Sequence, residues 1–80
     1  MAVKVVFLGK LAELAGADTR AVAAPLDWSA LLGLCPPLLR DALCDSRVKV
    51  ARNGVLIADK HALAADEGDE VALLPPVSGG

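Results

Sequence analysis

The sequence has very few aromatic residues, since one Trp, one Phe and no Tyr are found among 80 positions. Proteins that bind single-stranded nucleic acid stack its bases on aromatic side chains and hold its backbone with clustered basic residues. Here the eight Lys and Arg residues occur singly, and the formal net charge is −2. The sequence therefore predicts a protein that does not bind nucleic acid.

Long apolar segments are also lacking. No run of the sequence comes near the roughly 20 apolar residues that a membrane-spanning helix needs. The first residues follow a strand pattern and lack the layout of a secretion signal. We therefore expect a cytoplasmic protein that does not associate with a membrane.

Cysteine and histidine, two common metal ligands, are scarce. Cys35 and Cys44 form no CxxC pair, and His61 has no second ligand close to it in the sequence. We predict that both cysteines are reduced, half-buried apolar residues, with a redox or metal role as the alternative. His61 is predicted to lie in a loop or on the surface. No catalytic triad, phosphate loop or metal site is recognisable, so a free-standing enzyme is not expected.

What the sequence has in excess is apolar material. A single small domain removes only roughly 60% of its unfolded surface from water, so its core is modest. Yet 55% of the residues are apolar, and the mean hydropathy is +0.53. Part of this material is therefore expected to face a partner protein, unless it forms ordinary surface Ala and Val.

The apolar periodicity predicts five strands and a divided helical region. The strands are predicted at 3–8, 19–24, 47–52, 55–57 and 70–74, and the helices at 10–15 and 28–44, with a break near Pro36. Residues 58–66 have only weak helical character. This order favours an α+β fold of the ubiquitin-like β-grasp type, in which one mixed sheet packs on the helical region and the first and last strands are neighbours.

Local signals support these elements. Val3, Val5 and Phe7 repeat with the period of a strand, so they are predicted to share one buried face. Asp27 can cap the helix that follows it. Asn53-Gly54 tolerates the positive φ angles of a tight hairpin turn. A second helical stripe is predicted from Leu38, Leu39, Ala42 and Leu43.

The chain ends in PPVSGG, residues 75–80. Pro75 and Pro76 have no N–H and hold φ near −65°, so they stop a sheet ladder and favour an extended stalk. Gly79 and Gly80 have no Cβ and can enter a narrow channel. We therefore predict a domain at 1–74 and an extended tail at 75–80, whereas the alternative for an isolated terminal Gly-Gly is a frayed end.

Such a tail presents its terminal carboxylate. A carboxylate is a poor electrophile until one of its oxygens is converted into a leaving group. Adenylation achieves this, and the acyl phosphate can then accept sulfur to give a thiocarboxylate, which is a nucleophile carried on an arm.

Two stretches resemble a known family. GDEVALLPPVSGG, from Gly68 to Gly80, and VVFLGKLAELAG near the N-terminus are similar to the molybdopterin synthase small-subunit family, the MoaD/ThiS-like β-grasp sulfur carriers. The resemblance implies that Gly80 is adenylated, becomes 1-thioglycine and donates sulfur to cyclic pyranopterin monophosphate in the large synthase subunit. The partner-binding residues that it implies are Leu73, Leu74, Pro75, Pro76, Val77, Ser78 and Gly79.

The resemblance also implies a set of partners. These are the large molybdopterin synthase subunit, an E1-like adenylating enzyme that uses ATP, and a sulfur donor protein. No cofactor is expected to bind this chain tightly, and most catalytic side chains are expected on the large subunit.

The sequence departs from the family at a few positions. The family often has an aromatic pair at Leu73-Leu74, an aromatic residue near Leu8 and a basic residue near Ala12. Two alternatives stay open: a sister carrier that serves thiazole, tRNA or another sulfur pathway, and a ubiquitin-like module that binds through its sheet without using its terminus. The acidic stretch 66–70 is read as a solvated turn or as a contact with a basic partner.

Overall fold

The computed structural model describes residues 2–76. In chain order, its elements are β1 (Ala2–Phe7), α1 (Lys10–Ala15), β2 (Thr19–Ala23), β3 (Leu26–Asp27), α2 (Trp28–Gly33), α3 (Pro37–Leu43), β4 (Lys49–Arg52), β5 (Val55–Leu56), a 3-10 helix (Lys60–Ala62), β6 (Ala64–Ala65) and β7 (Glu70–Leu74). None of the helices within this range is long and apolar enough to cross a bilayer.

The main sheet has five strands in the order β2-β1-β7-β4-β5. β1 and β7 run parallel, and the other neighbours are antiparallel. The first and last strands are therefore adjacent at the centre of a mixed sheet. The predicted α+β fold of the β-grasp type is confirmed.

The core lies between one face of this sheet and the helices. Val3, Val5 and Phe7 all point into it, as predicted, and each is at most 3% exposed. Leu31 of α2 and Leu39 of α3 complete the packing from the helical side. Fully burying such a side chain stabilises the fold by roughly 1.5–3 kcal/mol.

Helix boundaries follow the predicted local signals. Asp27 Oδ1 accepts a hydrogen bond of 2.7 Å from the backbone N–H of Ala30 and so caps α2. Pro37 occupies the first turn of α3, where its missing N–H costs nothing. The hairpin turn between β4 and β5 has positive φ at Asn53 (51°) and Gly54 (82°), as predicted.

Some predictions about side chains need correction. Leu38 is 72% exposed and does not join the apolar stripe of α3. Because α3 turns about 100° per residue, the face that buries Leu39 and Leu43 rotates Leu38 outward. The two cysteines also differ, since Cys35 is buried and Cys44 is exposed, whereas both were expected to be half-buried.

The segment 58–66 contains more structure than the sequence indicates. The 3-10 helix is followed by β6, which pairs with β3 through Leu26 and Ala65 in a separate two-stranded sheet. Lys60 Nζ donates to the backbone carbonyls of Leu43 and Asp45, and so ties this segment to the end of α3. Two-residue strands have no periodicity that a sequence pattern could reveal.

Candidate functional site

The end of β7 is the place from which the predicted tail leaves the domain. β7 lies between β1 and β4, so its last residues emerge from the middle of the sheet. The backbone N–H of Leu8 donates to the carbonyl of Leu73 at 3.2 Å, which holds this end against the end of β1. The half-buried Pro75 and Pro76 follow directly. Since proline has no N–H, the ladder ends at the predicted position.

The turn between β1 and α1 passes close to the start of the tail. Gly9 has φ +55°, and a Cβ added to it would lie 3.2 Å from Cγ of Pro75. A side chain at this position would strain the backbone and also press on the proline ring. Gly9 therefore allows the chain to leave β7 beside α1, a role that the sequence analysis did not find.

The predicted partner-binding residues fall into three groups. Leu73 is fully buried in the core, so its side chain offers no surface to a partner. Leu74, Pro75 and Pro76 are partly exposed at the exit of the tail. Residues 77–80, which include Gly79 and Gly80, lie outside the described residues.

The face of the sheet that points away from the helices carries an apolar surface. Strand pairing aligns Val6 with Ala72, Ala72 with Ala51, and Ala51 with Leu56, so these side chains form a row across four strands. The alternation of the strands places two further side chains on the same face, beside the exit of the tail. We name this surface the outer-face patch: Val6, Leu8, Ala51, Leu56, Ala72 and Leu74.

The outer-face patch is partly exposed and has a charged rim. Leu8 is 40% exposed and Leu56 is 63% exposed, whereas Ala51 is only 8% exposed, and the described helices pack on the opposite face. Lys49 pairs in register with Leu74 at the exit end. An exposed ion pair between Lys4 and Glu70, 3.6 Å apart, lies at the other end of the strands. An apolar centre with a charged border is the usual arrangement of a protein-binding surface.

Other chemically reactive groups are isolated. Within residues 2–76, no three His, Cys, Asp or Glu side chains lie close enough together to hold a metal ion. Burial raises the pKa of the Cys35 thiol, against the opposing effect of two nearby Arg side chains. That thiol donates to the carbonyl of Leu31 at 3.2 Å. His61 is at the surface, as predicted, 3.0 Å from Asp59.

The acidic stretch 66–70 contains an ordered turn. Asp69 accepts hydrogen bonds from the side chain of Asn53 and the backbone of Asp66, and it forms an ion pair with Arg52 at 3.3 Å. These hydrogen bonds, aided by the Arg52 charge, lower the pKa of Asp69. In the fold, Asp69 therefore fastens the start of β7 to the turn between β4 and β5.

Comparison with known proteins shows the family to which the chain is similar. The model of the ThiS family matches residues 5–80. The chain is 37% identical to the molybdopterin synthase sulfur carrier subunit of Escherichia coli (strain K12), over 98% of this chain and 99% of that protein.

Two solved structures resemble this one over nearly their whole length. Small archaeal modifier protein 1 from Methanosarcina acetivorans has a TM-score of 0.80 and 26% identity, with 99% of this chain and 96% of that chain covered. A chain from the complex of subunits 1 and 2 of the molybdopterin-converting factor of Helicobacter pylori has a TM-score of 0.66 and 27% identity, with both chains fully covered.

Proposed function

Since the chain belongs to the ThiS family, we propose that it is the sulfur-carrying small subunit of a molybdopterin synthase. The observation that carries this proposal is the likeness to the E. coli sulfur carrier, which spans 98% of the chain. The fold supports it, because β7, after which residues 75–80 follow in the sequence, ends in the middle of the sheet beside a partly exposed apolar surface.

The proposed reaction takes place at the carboxyl group of Gly80. An E1-like enzyme transfers AMP from ATP to this carboxylate and releases pyrophosphate. Sulfide-level sulfur from a donor protein then attacks the acyl carbon and AMP leaves, so that a thiocarboxylate is formed with no change in oxidation state. In the large subunit, this group donates its sulfur to cyclic pyranopterin monophosphate. The missing side chains of Gly79 and Gly80 favour close approach in both steps.

The body of the domain serves as the docking part. We propose that residues 1–74 stay outside the large subunit while residues 75–80 enter it. Residues 77–80 reach roughly 13 Å when fully extended, which is enough to place the terminus in a pocket of the partner. The outer-face patch lies next to the exit, so the same partner can bind the patch and the tail. Subunits 1 and 2 of the molybdopterin-converting factor of H. pylori form a complex, which supports a large subunit as the partner.

Intact-mass analysis tests this function directly. The purified chain is incubated with an activating enzyme, ATP and a sulfur donor, and we expect a mass gain that equals the replacement of one oxygen by one sulfur. Deletion of Gly80 should abolish the gain. The matched control is Cys44→Ser, because oxidation of this exposed thiol to a sulfenic acid would add one oxygen, a mass gain almost equal to the exchange of oxygen for sulfur. Persistence of the product after Gly80 deletion, or its loss in Cys44→Ser, would contradict the proposal.

A second candidate function uses the same activated terminus. The likeness to the archaeal modifier protein, with its TM-score of 0.80, favours covalent attachment of Gly80 to an amine of another protein. The two functions differ in the group that attacks the acyl carbon, which is sulfur in one case and an amine in the other. Mass spectrometry of conjugates distinguishes them, with a search for the tryptic remnant 61–80 on lysines of other proteins, since Lys60 is the last tryptic site of the chain. Molybdopterin formation with the large subunit identifies the carrier and separates it from sister pathways.

A further inference from the structure

The two edges of the main sheet differ in length. β5 has two residues and β2 has five. An exposed edge strand has unpaired backbone groups that can pair with another strand. Proteins often prevent this pairing with a short edge strand, a Pro or Lys residue, or a bulge. β5 is protected by its shortness. β2 has the sequence TRAVA, with no Pro or Lys, and it pairs with β1 in continuous register from Thr19 to Ala23.

The outer side of β2 has free backbone groups that can pair. The N–H of Phe7 donates to the carbonyl of Asp18 at 2.8 Å, which fixes the hydrogen-bonded positions of the ladder. Such positions alternate in an antiparallel pair, so β1 bonds the backbone of Arg20 and Val22. The N–H and C=O groups of Thr19, Ala21 and Ala23 therefore point away from the sheet.

A groove runs along this edge between β2 and α2. It has a volume of about 460 Å³, which lies within the usual range for binding clefts. Its apolar lining includes Val22, Pro25, Leu26, Ala30 and Leu34. Leu34 is 49% exposed at this site. Alternate side chains of an added strand would point into the groove.

The charge beside the groove indicates which ligands it favours. Arg20 is the only charged residue that lines it among the described residues. Within residues 2–76, Arg20 forms no ion pair. A local positive charge on a chain of net charge −2 suits an acidic ligand.

We propose that β2 and the groove beside it bind an extended apolar segment of a partner protein that has acidic flanks, which adds to the sheet as a sixth strand. Main-chain hydrogen bonds to Thr19, Ala21 and Ala23 provide the pairing. The groove accepts alternate apolar side chains, and Arg20 attracts the acidic flanks. A second copy of this chain fits less well, because two β2 edges would bring two positive grooves together. The surface is separate from the tail and from the outer-face patch.

Peptide binding followed by backbone amide NMR tests this proposal. The probe is acetyl-DDVTVTVDD-amide, and the control is acetyl-KKVTVTVKK-amide. We expect the acidic peptide to bind with a dissociation constant on the order of 100 μM, because a single strand buries little surface. Chemical-shift changes should centre on 19–23 and Leu34. Arg20→Gln should weaken binding about threefold, whereas Lys4→Gln on the opposite sheet face should not.

Ala21→Pro tests the backbone pairing itself. It removes an outward N–H and no bond to β1, so binding should fall about tenfold. Ala21→Val keeps the donor and serves as the matched control. A peptide with N-methylated valines, which should not bind, makes the same test on the unaltered protein if Ala21→Pro fails to fold.

Several results would overturn the proposal. These are equal binding of both peptides, no binding of either, full binding by Ala21→Pro or by the methylated peptide, and shifts confined to the outer-face patch. Self-association of the free chain through β2, seen by sedimentation and NMR, would assign the edge to a second copy instead. The assay uses the chain with an ordinary carboxylate at its terminus, without the thiocarboxylate. Its result therefore does not depend on sulfur transfer.

Discussion

The two faces of β7 differ in burial, because side chains that alternate along the strand point to opposite sides of the sheet. Val71 and Leu73 are 0% exposed and belong to the core. Ala72 and Leu74 point to the other side and are partly exposed in the outer-face patch. The same short strand therefore stabilises the domain with one face and contributes to the partly exposed outer-face patch with the other. Substitutions on the two faces should affect different properties of the protein.

The largest effect on stability is expected from Leu73→Ala. This change leaves a cavity in a core that has little spare apolar area, so it should lower the free energy of unfolding by about 2–5 kcal/mol. Leu74→Ala, its partly exposed neighbour, should cost less than about 1 kcal/mol. Urea unfolding measures both values. Equal losses for the two variants would contradict the assignment of the faces.

Binding to the large subunit should show the opposite pattern. Leu74→Asp places a charge in the outer-face patch beside the tail, so we expect the dissociation constant to rise at least about tenfold. The fold should be retained. Lys10→Gln, outside the patch, is the control. Calorimetric titration with the large subunit checks this, and unchanged affinity of Leu74→Asp would exclude the patch as the docking surface.

Gly9 links the domain to the start of the tail. Gly16→Ala, at an αL position (φ 75°, ψ 12°), should cost about 1–2 kcal/mol, and its Cβ would have no neighbour within 4 Å. Gly9→Ala should cost more, because φ 55° and ψ −130° lie outside the αL region, and the contact with Pro75 should also reduce sulfur delivery. Unfolding free energies and single-turnover rates separate the two effects. Equal rates for both variants would show that the contact with Pro75 has no role.

A smaller effect of pH is expected at the opposite end of β7. The pKa of Asp69 is lowered in the fold, so its stabilising effect is present above the unfolded pKa and is lost as the pH falls through the folded pKa. Asp69→Asn should therefore melt below the wild type at neutral pH, and the gap should shrink below about pH 4. Melting curves from neutral to acid pH measure this. A constant gap would contradict a role for the ionised carboxylate.

Much of the inner face could be predicted from the sequence, because its signals are local. The alternation of Val3, Val5 and Phe7, the cap at Asp27 and the Asn53-Gly54 turn each depend on a few neighbouring residues. The small sheet of β3 and β6 could not be predicted, since its pairing is long-range and each strand has two residues.

The candidate site was predictable only in part. The prolines indicate where the ladder ends, and the structure agrees. The outer-face patch depends on which face the helices leave open, and that is a property of the packed fold. The family resemblance assigns Leu73 and Leu74 to the partner as a pair, whereas the strand places their side chains on opposite faces.

Formation of molybdopterin by the reconstituted synthase tests the central claim most directly. The chain is first treated with the activating enzyme, ATP and the sulfur donor, and it is then mixed with the large subunit and cyclic pyranopterin monophosphate. A chain that carries one extra residue after Gly80 is treated in the same way for comparison. We expect the native chain to support product formation and the extended chain to support none. Both chains should fold and should bind the E1-like adenylating enzyme with equal affinity. Product from the extended chain, with its added residue still present by mass, would contradict the account.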